Sequence, residues 1–222
     1  MPQSAIAADL TLEEVRAALA PKIAAQAAFD GWNEKAVRAA AMGEDIDPDI
    51  AALAFTDGAV AMIDAWFVYI DQEMAHRLPP EKLAGMKIRA RIAALVETRL
   101  EILAPDREGL RRAIAILAAP PLVPKALAMG WRAADAMWRL AGDTATDFNH
   151  YSKRTLLGGV YASTLAIFLN DDSEDFAETR GFLARRIDNV MQIEKVKSKF
   201  ASGPAERFSL ARFVGRLRYP QS

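Results

Sequence analysis

Residues 11–55 read TLEEVRAALAPKIAAQAAFDGWNEKAVRAAAMGEDIDPDIAALAF, and three helices can be read from them. Thr11 followed three residues later by Glu14 is a capping-box pattern: the hydroxyl accepts from the backbone N–H at the third helical position, and the carboxylate reaches back to the cap. Apolar residues then recur at intervals of three and four to about residue 28, with Pro21 as the point where this helix kinks or divides. Asn33 caps a second helix that ends near Gly43. A third, short helix opens with Pro48 in its first turn, where a missing N–H costs no hydrogen bond.

Further along, the spacing predicts longer helices over 57–77, 80–103, 106–118 and 121–141, punctuated by Pro79, Pro80, Pro105, Pro120 and Pro121, with Pro124 in the first turn or so of the last. Thr146 or Asp147 suits the cap of a helix running to about 169. Ser173 and Asp175 suit the start of one over 173–200. Gly203-Pro204 breaks the chain before a last helix over 205–218. Strand-like alternation is missing, so the fold class expected is all-α, with about ten helices. Three short helices ahead of longer ones resemble a helix-turn-helix head on a helical ligand-binding body, as in TetR-type repressors. The expected organisation is a head over 1–56, a body for ligand binding and dimerisation over 57–200, and an amphipathic helix over 204–218.

Composition narrows the function classes. The chain has 222 residues, 52% of them hydrophobic, enough to bury a core. It has no cysteine, which excludes disulfides, thiolate metal sites and cysteine nucleophiles. No export or organelle signal is visible at its start. The longest uncharged run, 155–170, falls short of the roughly 20 residues a spanning helix needs. The expectation is a cytoplasmic protein, peripheral on the membrane. Charge is uneven: residues 1–56 hold nine acids against four bases, and 195–222 hold seven bases against one acid.

Catalytic and metal chemistry find little support. Glu73 and His76 make one Glu-x-x-His pair, but a di-iron bundle needs two and more glutamates. Asp147, His150 and Ser152 suggest a triad, yet residues 150 and 152 stand about 200° apart on a helix. No Gly-x-Ser-x-Gly, Walker or dinucleotide pattern occurs. The expectation is no catalytic residue, no metal and no cofactor. The third helix carries Asp49 and no Lys or Arg, where a DNA reader needs cations against phosphates. A ligand-responsive repressor is therefore the alternative reading, and no nucleic-acid partner is expected. Gly158-Gly159 inside a helix suits close approach of another helix, or room for a ligand. A body rich in Ala, Leu and Met suits an apolar cavity, with Trp66, Trp131, Trp138, Tyr161, Leu165 and Phe168 as candidate lipid-binding residues. In the last helix Phe208, Leu210, Phe213, Val214 and Leu217 supply apolar surface against Arg212 and Arg216, the pattern of a membrane-surface helix.

The stretch WRLAGDTATDFNHYSKRTLLGGVYASTLAIFLNDDSEDFAETRGFLARRIDNVM, residues 138–191, resembles the signature of the ubiquinone (coenzyme Q) biosynthesis accessory family, Coq-nine. The resembling positions include Trp138, Ala141, Gly142, Asp143, Thr146, Asp147, Asn149, Tyr151 and Arg154, then Tyr161, Asp175, Phe176, Phe182, Leu183, Arg186, Ile187 and Asp188. DGWNEKAVRAAA and FTDGAVAMIDAW resemble its N-terminal part, and the likeness covers about residues 10–200. The resemblance implies a TetR-like fold that does not regulate transcription. It also implies an isoprenoid quinone lipid in the body, a demethoxyubiquinone hydroxylase as partner, and a membrane surface met by the C-terminal helix. The docking surface implied is Met137, Asp147, Asn149, His150, Tyr151 and Lys153; His150 departs from the Trp that eukaryotic members tend to carry. A homodimer through 147–169 and 173–200 is expected, because broad apolar faces rarely stay exposed on a monomer.

Overall fold

The computed structural model describes the backbone at 10–144 and 148–201, and side chains at 10–144 and 150–190. The expected cap at Thr146 or Asp147 and the helix over 204–218 lie outside the described residues. The α-helices are α1 (Leu12–Asp30), α2 (Glu34–Gly43), α3 (Pro48–Ala54), α4 (Ala59–Arg77), α5 (Pro80–Ala84), α6 (Ile88–Leu103), α7 (Arg107–Leu117), α8 (Val123–Leu140), α9 (Phe148–Phe168) and α10 (Ala177–Ala201). Short 3₁₀ turns precede α7, α8 and α10. Two compact units divide at Ile187 and Asp188, within α10.

The caps at Thr11 and Asn33 form as the sequence predicts: Thr11 and Glu14 close a full capping box, and Asn33 Oδ1 accepts from Lys35 and Ala36. The structure adds a third, Asp47, which accepts from the Asp49 N–H ahead of Pro48. Pro21 does not divide α1 into two elements; the helix runs through it. The lost bond is the one to the Ala17 carbonyl, on an exposed residue. The helix expected over 80–103 is two: α5 ends at a Gly85 cap, and α6 starts after Lys87.

The core grows from α1, whose Val15, Leu19, Ile23 and Ala27 form one buried row facing α4 and α7. Trp66 of α4 is fully buried against Trp32, ring centroids 5.4 Å apart. Trp32 Nε1 donates to the Gly109 carbonyl at 2.9 Å, tying the α1–α2 turn to α7. Gly109 is required here: a Cβ would stand 2.7 Å from the Ala24 carbonyl oxygen of α1. Burial of each large apolar side chain in this core contributes about 1.5–3 kcal/mol.

The head is α1–α3. Arg16 Nε donates to the Ala54 carbonyl and pins the end of α3 to α1. Every base of the head is spoken for: Arg16 by Glu13, Lys22 by Glu44, Lys35 by Asp30, and Arg38 by both Glu34 and Asp49. On α3 the outward residues are Asp49, Ile50 and Leu53.

Candidate functional site

One buried arginine of α9 ties that helix to the end of α8. α8 buries Met129, Ala133, Ala134 and Met137, and ends at Gly142, whose φ of +89° suits glycine. Arg91 of α6 donates to the Ala141 carbonyl at 2.8 Å and holds this end of α8. Arg154, 2% exposed, reaches back from α9. Its Nε donates to Asp135 of α8 at 2.6 Å, and its Nη1 to Asp143 at 3.0 Å and to the His150 carbonyl at 3.1 Å. Lys153 Nζ pairs with the other Asp143 oxygen at 2.6 Å. Burial acts to raise the Asp143 pKa, but the bonds from Lys153 and Arg154 outweigh it and hold the carboxyl below its usual range. A buried pair broken on one side typically costs about 3–5 kcal/mol, so this lock fixes the α8–α9 angle.

On the surface above the lock sits an aromatic cluster. Tyr151 is 61% exposed, with its ring 6.0 Å from Trp131 and 5.1 Å, edge-on, from His150. Trp131 also lies 6.4 Å from His150. Trp138 is part-buried; its Nε1 donates to the Lys153 carbonyl at 3.0 Å, and the Lys153 ammonium lies 5.4 Å from its ring. A large aromatic held by neighbouring rings, with one side in solvent, has the make-up of an interface anchor.

The expected docking residues therefore divide. His150, Tyr151 and Lys153 come together at this surface. Met137 does not: it is fully buried between α8 and its neighbours and presents no side chain to a partner. Asp147 and the Asn149 side chain lie outside the described residues. The residues expected to line a lipid cavity are dispersed. Trp66 belongs to the Trp32 core, and Trp131 and Trp138 to the aromatic surface. Tyr161 lies under the Arg99 guanidinium at 5.1 Å. Phe168 packs on Phe176, with Arg107 against both rings. Leu165 is half-buried on α9.

Two features escaped the sequence reading. Arg99, almost wholly buried on α6, pairs with Asp71 of α4, and Arg132 of α8 approaches the same carboxylate at 3.5 Å. Asp171 caps the start of the α10 segment, accepting from the backbone and hydroxyl of both Ser173 and Thr179. Ser173, expected at this start with Asp175, takes part as expected: its Oγ accepts from the Glu178 N–H at 3.1 Å. Asp175 instead takes a left-handed backbone, φ 52°. Short-range spacing does not signal the Arg99–Asp71 pair, because its partners come from different helices.

Glu73 accepts from Arg77 at 2.7 Å, and no cluster of three or more metal-ligating side chains occurs among the described residues. No single described helix is long and apolar enough to cross a membrane. A Cβ on Gly158 or Gly159 would meet nothing within 4 Å, so among the described residues no helix uses the close approach these glycines allow.

The family model for COQ9 matches residues 123–194. The chain is 31% identical over 169 residues to the ubiquinone biosynthesis protein COQ9, mitochondrial, of Rattus norvegicus, covering 73% of this chain and 54% of that protein. It is 40% identical over 98 residues to the Homo sapiens protein of the same name, covering 44% and 31%. The chain spans about half the length of the curated relatives it matches. A TetR transcriptional regulator from Nitrosomonas europaea superposes with a TM-score of 0.64 at 22% identity, covering 80% of this chain and 98% of that one, which fixes the fold as TetR-like. The segment matched by the family model, 123–194, carries the aromatic surface and the Arg154 lock, and with 31% identity to a curated COQ9 protein over 73% of its length the chain belongs to the COQ9 family.

Proposed function

We propose that this chain is a non-catalytic accessory protein of ubiquinone biosynthesis. It binds a polyprenylated quinone intermediate in its helical body and presents the head group to the demethoxyubiquinone hydroxylase. The observation that carries this reading is the likeness of 123–194 to proteins named for ubiquinone biosynthesis. The physical need is plain: a long isoprenoid tail prefers the bilayer, and an enzyme outside it gains from a carrier that shields the tail. The Tyr151 surface, with Trp131 and His150, is the proposed hydroxylase contact. The basic apolar helix, Phe208 to Leu217, is the proposed membrane contact. The compartment proposed is the cytoplasmic face of a bacterial membrane; the matched relatives are named mitochondrial.

A homodimer through α9 and α10 is part of the proposal. α9 exposes Thr155, Gly159, Ala162 and Ala166 along one stripe, small enough for another helix to lie close. The TetR-like fold also favours a second reading, a ligand-responsive repressor. Against it stands the head, whose four bases are each paired with an acid and leave no free cation for a phosphate.

The test is capture of purified hydroxylase by the parent chain and by Tyr151→Ala. Loss of a central aromatic anchor costs about 2 kcal/mol or more, a drop of at least roughly thirtyfold in affinity. Equal capture by a folded Tyr151→Ala chain would show that hydroxylase docking does not use this surface.

A further inference from the structure

The head holds acids that its own bases do not cancel. Arg16 meets Glu13, Lys22 meets Glu44, Lys35 meets Asp30, and Arg38 is shared between Glu34 and Asp49. Asp45 and Asp47, both exposed, pair with no base among the described residues. They stand in the turn from α2 to α3, and Asp49 follows in the first turn of α3. Asp47 caps that helix, and Asp45 takes a left-handed backbone, φ 55°, which a short polar side chain tolerates.

The same two helices expose large apolar side chains: Met42 at 71%, Leu53 at 57% and Ile50 at 39%. The contact of Arg38 with Asp49 at 3.0 Å joins the two groups. Met42 is one turn on from Arg38 along α2; Ile50 is the residue after Asp49, and Leu53 is one turn on from it along α3. Large apolar side chains scattered singly need no explanation, but three on adjoining turns around one ion pair form a patch.

The sign of its rim selects the occupant. Phosphates of nucleic acid or of an anionic membrane would meet Asp45, Asp47 and Asp49 as like charges. A second copy in a two-fold contact would set the same acids against themselves. A protein segment with cations beside apolar side chains meets both parts, in the usual interface arrangement of an apolar centre and a charged rim.

We infer that the α2–α3 face docks a basic amphipathic segment of a partner protein. The segment lays large apolar side chains on Met42, Ile50 and Leu53, and sets lysines or arginines against Asp45, Asp47 and Asp49. The turn that would read DNA in a repressor reads protein here. The inference goes beyond the proposed function: it needs neither a quinone nor the Tyr151 surface, and it stands if both fail.

Fluorescence anisotropy of a labelled amphipathic Lys-Leu peptide, titrated with the full chain, tests it. A Glu-Leu peptide of the same pattern and a Lys-Ser peptide of the same charge run beside it. The Lys-Leu peptide is expected to bind at least about tenfold more tightly than either, and less tightly as salt rises. Met42→Ser and Leu53→Ser, at exposed positions, are each expected to weaken its binding by about tenfold or more. Asp45→Asn together with Asp47→Asn keeps the backbone and the cap but removes both charges. That pair is expected to weaken binding by roughly three- to tenfold and to flatten its salt dependence. Leu127→Ser, exposed on α8 outside the head, is expected to change nothing. Failure of the Lys-Leu peptide to bind the full chain, whose own basic segment 195–222 is present to compete, overturns the inference. So does equal binding of the three peptides, unchanged binding by folded Met42→Ser and Leu53→Ser chains, or an equal loss in Leu127→Ser.

Discussion

Gly109→Ala tests the crossing of α1 and α7 on which the head is mounted. The new Cβ would stand 2.7 Å from the Ala24 carbonyl oxygen, 3.7 Å from its carbon and 3.9 Å from the Ala28 nitrogen. All three are backbone atoms, so no side chain can rotate away, and the helices must part by several tenths of an ångström. Overpacking of this kind costs about 1–3 kcal/mol. Parting also stretches the bond from Trp32 Nε1 to the Gly109 carbonyl, worth about 0.5–1.5 kcal/mol. Alanine recovers about 1 kcal/mol through helix propensity. The net is a loss of about 2 kcal/mol, or a fall in Tm of roughly 4–8 °C for a chain of this size. Gly158→Ala is the matched control: nothing lies within 4 Å of its Cβ, so propensity alone acts and stability rises by about 1 kcal/mol. Urea unfolding followed by far-UV circular dichroism, at unchanged slope, reads both. A Gly109→Ala chain as stable as the parent, or a Gly158→Ala chain that loses as much as Gly109→Ala, would refute the reasoning.

Other perturbations probe the site and the assembly. Burial acts to raise the Asp171 pKa, but bonds from Ser173 and Thr179 hold it far below the usual 3.8. A depressed carboxylate contributes stability above its unfolded pKa and loses it as pH falls; Asp171→Asn should therefore lower Tm at pH 7 and flatten the acid limb below about pH 4. An acid limb identical to the parent's would count against this. Gly159→Trp, on the exposed stripe of α9, is expected to convert a sedimenting dimer to a folded monomer; an unchanged dimer moves the interface elsewhere. A chain ending at Ser202 is expected to lose flotation on anionic liposomes, because each arginine near such a surface contributes about 1 kcal/mol. Equal flotation of the two chains removes the tail as the anchor.

Local signals in the sequence carried the fold. Thr11 with Glu14, Asn33, and Pro48 each place a helix start within a residue or two, because such signals are written in their own neighbours. Pro21 did not divide α1, because a proline's damage depends on whether the orphaned carbonyl reaches water, which is a tertiary fact. Gly85 was passed over because α5 is a single turn and its cap has no side-chain signal. At the site, Tyr151 was legible as an aromatic among polar groups. The lock below it was not, since Asp135, Asp143 and Arg154 meet only when α8 and α9 pack.

The central claim concerns cargo, and the lipid itself tests it. The full chain, purified from cells that make ubiquinone, is extracted and its lipids are measured by mass spectrometry beside a TetR-type regulator prepared in the same way. The account predicts a polyprenylated quinone, or its demethoxy precursor, enriched with the chain and absent from the regulator. Retention of the chain on double-stranded DNA at low salt, with no isoprenoid enriched over the regulator, would contradict the account and return the molecule to the repressors whose fold it shares.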